Sequence, residues 1–271
     1  PRGEQVSTLR QDKVSLTAMK ITFLGTGTSQ GVPIIACKCI VCQSTDFNDK
    51  RLRSSVLIEA ENTTFVIDTG PDFRYQMLRE SILKLDAVVF THEHKDHIAG
   101  FDDIRGFNWK TKKPMNVYAT PNVEIALKRD FHYAFGEKRY PGVPSLNLHI
   151  LDNKPFTVGD IEVMPIEVLH YKLPVFGYRV GDFSYVTDVN FISNEEKQKL
   201  RGSKVLVISA LKQSEHISHY SLEQAISVAK EIGTERTYFT HMSHQMGLHE
   251  EVDAQLPEGM NLAYDRLVVE L

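Results

Sequence analysis

Long apolar runs are missing from this chain of 271 residues. Nothing in it approaches the roughly 20 consecutive apolar residues that a membrane-crossing helix needs. Cysteine is scarce: three thiols are too few for a disulfide-stapled fold, and pairing two of them would leave one over. Charge of one sign is lacking too. The 31 Lys and Arg against 35 Asp and Glu give a net −4, too small and of the wrong sign for a nucleic-acid-binding surface. Low-complexity tracts, internal repeats and Gly/Ser linkers are absent, so nothing divides the chain. What is left, 42% hydrophobic and 24% charged, is the composition of an ordinary globular protein, expected in the cytoplasm with its cysteines reduced.

Residues 1–18 are polar and hold no apolar segment of the kind a secretory signal carries. Met19, followed by Lys-Ile-Thr-Phe-Leu, is the better natural start, so 1–18 are expected to be a mobile upstream segment and 19–271 one folded domain. Within that domain, short runs rich in Ile, Val, Phe and Thr predict strands at Lys20–Leu24, Val56–Glu59, Thr64–Asp68, Ala87–Phe90 and Asn116–Ala119. More follow at Ile161–Val168, Gly177–Val180, Ser184–Thr187, Lys204–Ser209 and Arg236–Phe239. Helical spacing marks Asp72–Leu83, Ile98–Phe107, Asn122–Phe131, Asn194–Leu200 and Ser221–Ile232, the last with Gly233 placed to end it. Strands interspersed with helices predict a layered α/β domain. Gly25-Thr-Gly27 after the first strand suggests a dinucleotide loop, but Gln30 stands where the third glycine belongs and no helix pattern follows. A tight, close-packed turn is expected instead.

The chemistry is concentrated in Thr91-His92-Glu93-His94-Lys95-Asp96-His97, directly after the apolar run that ends at Phe90. Neutral imidazoles and carboxylates are good ligands for zinc or manganese. His92 and His94 point the same way if that segment is extended. Four ligands on one loop crowd a single tetrahedral ion, yet they can serve two ions about 3.5–4 Å apart, a spacing suited to hydrolysis through a bridging hydroxide. More ligands should then come from other strand ends, where His170, Asp188 and His241 lie. The expected dinuclear site places His92, His94 and His170 on one ion, Asp96, His97 and His241 on the other, and Asp188 between them.

All three cysteines fall in Cys37-Lys-Cys39-Ile-Val-Cys42. Three thiolates this close make strong zinc ligands that lack a fourth partner. His244, three residues after His241, would complete a closed structural zinc site of three cysteines and one histidine.

The run Thr91–His97 has the form Ser/Thr-His-x-His-x-Asp-His; Asp68 in Ile-Asp-Thr-Gly-Pro-Asp precedes it, and His170, Asp188 and His241 follow in matching order. In this the chain resembles the metallo-β-lactamase superfamily over essentially Met19–Leu271, which implies an αββα sandwich with metals at one edge. The stretch Phe-Leu-Gly-Thr-Gly-Thr-Ser-Gln-Gly-Val-Pro, the cysteine cluster and His241-Met-Ser-His244 are similar to one narrower family. That family is the phosphoribosyl 1,2-cyclic phosphate phosphodiesterases of carbon–phosphorus bond cleavage. This likeness implies two zinc or manganese ions in the active site and one structural zinc on Cys37, Cys39, Cys42 and His244. It also implies a catalytic histidine at the position of His219, with His216 as the alternative.

The expected activity is hydrolysis of a small anionic phosphodiester, with Asp96 and Asp188 orienting the attacking hydroxide and His219, if protonated, assisting at the phosphate or the leaving oxygen. Arg105, Lys110, Lys112 and Lys113 are expected to be a solvated basic face. Competing readings are RNA 3′ processing, which near-neutral charge disfavours, thioester or lactam hydrolysis, and a non-enzymatic accessory protein. No membrane contact is expected, and a homodimer is usual among the relatives.

Overall fold

A computed structural model describes residues 18–136 and 140–271. The upstream segment expected at 1–18 therefore lies, except for Ala18, outside the described residues. Each apolar run bounded by turn residues becomes a strand. The first six are β1 (Met19–Gly25), β2 (Ser55–Ala60), β3 (Thr63–Ile67), β4 (Ala87–Val89), β5 (Met115–Ala119) and β6 (Leu146–Ile150). They lie side by side in chain order, antiparallel up to β3 and parallel from β3 to β6.

The second sheet repeats that plan with β7 (Phe156–Val158), β8 (Ile161–His170), β9 (Leu173–Val180), β10 (Phe183–Val186), β11 (Val205–Ser209), β12 (Arg236–Thr240) and β13 (Met260–Leu262). It is antiparallel up to β10 and parallel from β10 to β13. A last strand, β14 (Val268–Glu270), returns to the first sheet and pairs with β1.

The sheets pack face to face through Phe23, Phe65 and Val89 on one side and Tyr178, Tyr185 and Val207 on the other, all fully buried. Each such side chain contributes about 1.5–3 kcal/mol by leaving water. Helices cover the outer faces. On the first sheet, Phe73 and Met77 of α2 (Phe73–Arg79) and Val123 and Leu127 of α5 (Pro121–Asp130) pack on Val66, Val88 and Val117. On the second, Leu200 of α6 (Asn194–Leu200) and Ala225 and Ala229 of α7 (Leu222–Ile232) pack on Leu206, Ile208 and Phe239. This is the expected αββα sandwich. Ser221 and Gln224 close a capping box at the start of α7, and Gly233 ends it at φ +76°.

Three features depart from the sequence reading. Helical spacing over Ile98–Phe107 becomes α3 (Lys95–Ile98), a 3₁₀ turn at Phe101–Ile104 and α4 (Arg105–Thr111). The interruption has a tertiary cause: a Cβ at Gly100 would stand 2.2 Å from the Gly70 carbonyl oxygen, so the chain must turn against a neighbour there. The second helix ends at Arg79, short of the expected Leu83, and Ser81 takes φ +54° just beyond it. Strands β6, β7, β13 and β14 were not legible, because they are short and half-exposed.

The glycine turn after β1 is close-packed, as expected, since a Cβ at Gly25 would lie 2.0 Å from the Arg53 carbonyl oxygen. Buried charge pins the same turn. The Asp265 carboxylate accepts from the Thr26 and Leu52 amides, both at 3.0 Å, and burial pushes its pKa up to about 6. Arg51 donates to the Thr26 hydroxyl at 2.9 Å and to the Ala263 carbonyl at 2.6 Å.

Candidate metal centre

In open sheets, ligands gather outside the carboxyl ends of parallel strands, and both parallel halves here point those ends at one edge. Asp68 follows β3, the run His92–His97 follows β4, His170 ends β8, Asp188 follows β10 and His241 follows β12. Three of these turn the chain in the left-handed region: Asp68 at φ +66°, Asp188 at +52° and His241 at +58°. A non-glycine residue costs about 1–3 kcal/mol there and persists only where its surroundings over-determine it, a pattern typical of functional sites.

The side chains converge as the sequence predicted. Donor atoms of His92, His94 and His170 lie within 4.8 Å of one another, and so do those of Asp96, His97, Asp188 and His241. Asp188 also falls within 4.8 Å of a donor atom on His170 and one on His219, so it stands between the two groups. His97 Nε2 lies 3.1 Å from an Asp96 oxygen and 3.2 Å from Asp188 Oδ2, which is also 3.2 Å from His241 Nδ1.

The far side of each ring fixes which nitrogen is free. His97 Nδ1–H donates to Asp68 at 2.7 Å, His170 Nδ1–H to the Ser218 carbonyl at 2.8 Å, and His241 Nε2 faces the Thr28 hydroxyl at 3.4 Å. Thr91 donates its hydroxyl to Asp68 at 2.8 Å and accepts from His92 Nδ1 at 3.0 Å. Each tether leaves the inward nitrogen with a lone pair, which is how ligating histidines are oriented. His97 Nε2 and His241 Nδ1 are buried without a hydrogen bond. Lone pairs and carboxylate oxygens facing one another at about 3 Å are costly unless a cation lies among them, so this donor set fits metal ions.

Charge states agree. Burial would raise Asp188 and Asp96, yet the nearby His241 and His97 hold both well below the usual carboxylate range. Burial pushes His92 and His241 down. Burial would lower His97 as well, but Asp96, Asp68 and Asp188 raise it. A metal cation there would compete with that proton. Asp68, noticed in the sequence only as part of a motif, is thus the residue that orients His97. Replacing it with asparagine is expected to weaken metal binding about 10–100-fold. Chelator competition checks this, and an unchanged affinity would show that the tether does not matter.

His219 lies against this group, with Nδ1 3.8 Å from Asp188 Oδ1 and its ring stacked on His241 at 5.1 Å. Burial pushes it down to about 3, so near neutral pH it is a neutral N–H donor. His216 sits farther out, exposed, with its ring 5.4 Å from that of His219. The basic residues stay away from the cluster. Arg105 pairs with Asp102 at 3.1 Å and Lys110 donates to the Leu83 carbonyl at 2.7 Å. Neither they nor Lys112 and Lys113 line the cleft beside His94 and His170.

The second cluster also closes. His244 Nδ1 lies 3.3 Å from Cys37 Sγ, 3.3 Å from Cys39 Sγ and 3.5 Å from Cys42 Sγ, with no disulfide among them. The Cys42 amide donates to Cys39 Sγ at 3.4 Å and holds Cys39 down to about 6, while burial pushes Cys42 up to about 11. Cys39 caps α1 (Ile40–Gln43), and the Ile34 amide donates to Cys42 Sγ at 3.4 Å. Four soft donors closing on one point fit a structural metal.

Residues 63–242 match the family model described as the beta-lactamase superfamily domain. The chain belongs to the metallo-β-lactamase superfamily. Of the solved members, one described as a new diphosphatase from the PhnP family is 38% identical, with a TM-score of 0.89 over 95% of this chain and 98% of its own. A curated octanoyltransferase of Porphyromonas gingivalis is 40% identical over 252 residues, which are 92% of this chain and 51% of that protein. A ribonuclease Z of Staphylococcus epidermidis is 26% identical over 172 residues, 60% of this chain and 49% of its own length. The chain thus spans about half the length of these curated relatives. The chain shares this superfamily's fold and carries clusters of histidines and aspartates that could hold metal ions. No helix among the described residues is long and apolar enough to cross a membrane.

Proposed function

We propose that this protein is a dinuclear phosphodiesterase acting on small anionic phosphodiesters, cyclic ones included. The observation that carries the reading is the place of Asp188, which gathers with Asp96, His97 and His241 and also lies within 4.8 Å of a donor atom on His170, a member of the three-imidazole group. His92, His94 and His170 would hold one zinc or manganese ion, and Asp96, His97 and His241 a second, with Asp188 common to both. Cys37, Cys39, Cys42 and His244 would hold a structural zinc. When bound, the pair of ions supplies a water acidic enough to attack at neutral pH and neutralises charge on phosphoryl oxygens.

The chain's own groups do the rest. Asp96 and Asp188, both ionised, accept hydrogen bonds from the attacking water and orient it. His219, neutral and next to Asp188, offers one N–H to a phosphoryl or leaving oxygen. The 38% identical structure described as a diphosphatase supports phosphorus as the centre attacked, and a net charge of −4 argues against a large nucleic-acid substrate.

A second reading is acyl thioester hydrolysis, favoured by the 40% identical protein named octanoyltransferase. Initial rates separate the two. Metal-loaded protein is expected to cleave phosphoribosyl 1,2-cyclic phosphate, 2′,3′-cyclic nucleotides or a bis-aryl phosphodiester and to spare an octanoyl thioester. Turnover of the thioester with silence on every phosphodiester would overturn the proposal.

A further inference from the structure

Beside His170, the next residue has no part in the metal centre and yet is held with care. Tyr171 sits in the left-handed region at φ +58°, where a bulky side chain is a genuine outlier. Such a conformation lasts only where neighbours enforce it. Asn190 enforces this one. Its Oδ1 accepts the Tyr171 amide at 2.6 Å and its Nδ2 donates to the Ile217 carbonyl at 3.3 Å. Its own amide donates to the Leu169 carbonyl at 2.9 Å. One asparagine thereby ties three loops together at the mouth of the site. The residue whose backbone it fixes is 48% exposed and, with His94, His170, Lys172 and Leu173, lines a cleft of about 470 Å³. Lys172 Nζ lies over one face of the ring, 5.3 Å from its centroid, so a cation stands beside the aromatic surface.

We propose that Tyr171 is a specificity residue, a stacking platform for a planar base carried by the substrate, which makes that substrate a nucleotide-type phosphodiester. A solvent-facing aromatic ring on a fixed backbone at the rim of a phosphate-cleaving centre gains most from another flat π-surface, and every base offers one. A phosphodiester of sugar alone would leave the ring in water. The inference rests on the phosphodiesterase reading for the phosphate, and it is tested by binding so that the two can fail separately.

Metal-loaded full-length protein is titrated by calorimetry with adenosine 5′-monophosphate and with ribose 5-phosphate, two 5-phosphomonoesters that differ in the base. The nucleotide is expected to bind about tenfold more tightly, the size that stacking on one aromatic ring supplies. Tyr171→Phe keeps the face and should keep that preference. Tyr171→Gly removes the ring while adopting φ +58° without strain. It should erase the preference and leave ribose 5-phosphate binding unchanged. Equal affinities in the wild type, a preference that survives Tyr171→Gly, or an equal loss for both ligands would each overturn the proposal. If no phosphodiester is turned over while the nucleotide preference still depends on Tyr171, the phosphodiesterase reading fails and the platform stands.

Discussion

His94→Ala and Asp188→Asn are each expected to lower kcat by about 10³-fold or more while the protein stays folded. A catalytic metal ion supplies several kcal/mol of transition-state stabilisation, and each 1.36 kcal/mol is tenfold in rate. His94 is exposed, so its removal strips one of three imidazoles from the first group at little cost to packing. Asp188 is buried, and asparagine keeps its shape and tolerates φ +52°, but it lacks the negative charge that His97 and His241 both face. Metal content per chain, thermal melting and steady-state rates should be read on the same samples. Both variants are expected to fall below wild-type occupancy. Near-normal kcat in either one, with metal content unchanged, would break the dinuclear assignment.

Loss of the cysteine cluster should show in stability first. Cys42→Ala is expected to lower the melting temperature by about 10 °C, and chelation of the wild type should do the same. Structural zinc sites are worth far more than this in small peptides. If about 4 kcal/mol of that remains in a large domain, the shift follows at roughly 2–4 °C per kcal/mol. Calorimetric scans with and without chelator provide the check, because the variant should no longer respond at the cysteine cluster. A melting temperature that neither change moves would mean the cluster holds no metal. Activity should drop as well, since His244 lies on the turn that presents His241, where the Thr28 amide donates to the Met242 carbonyl between them at 3.0 Å.

Most of the site was legible in the sequence because its ligands are of few types and stand at strand ends. The dense run from His92 to His97, the isolated His170, Asp188 and His241, and the cysteine triplet all end in the clusters assigned to them. What could not be read depends on contacts between distant residues. Asp68 takes its meaning from a hydrogen bond to His97, and His170 from the carbonyl of Ser218. The broken helix after Ile98 answers to Gly70, a residue on another loop. Arg51 and Asp265 are almost fully buried and meet at Thr26, a contact between distant residues that no local pattern announces. The neutral state of His219 likewise follows from burial, which sequence does not show.

The division of ligands between the two half-sheets also sets when during synthesis the protein can begin to work. The first half supplies the run from His92 to His97 and the second supplies His170, Asp188 and His241. At roughly 5–20 residues per second, a ribosome that has finished His97 needs on the order of ten seconds or more to reach His241. Until then a nascent chain displays three histidines and an aspartate with their partners missing. The cysteine cluster waits for His244 in the same way, so both clusters close within three residues of translation.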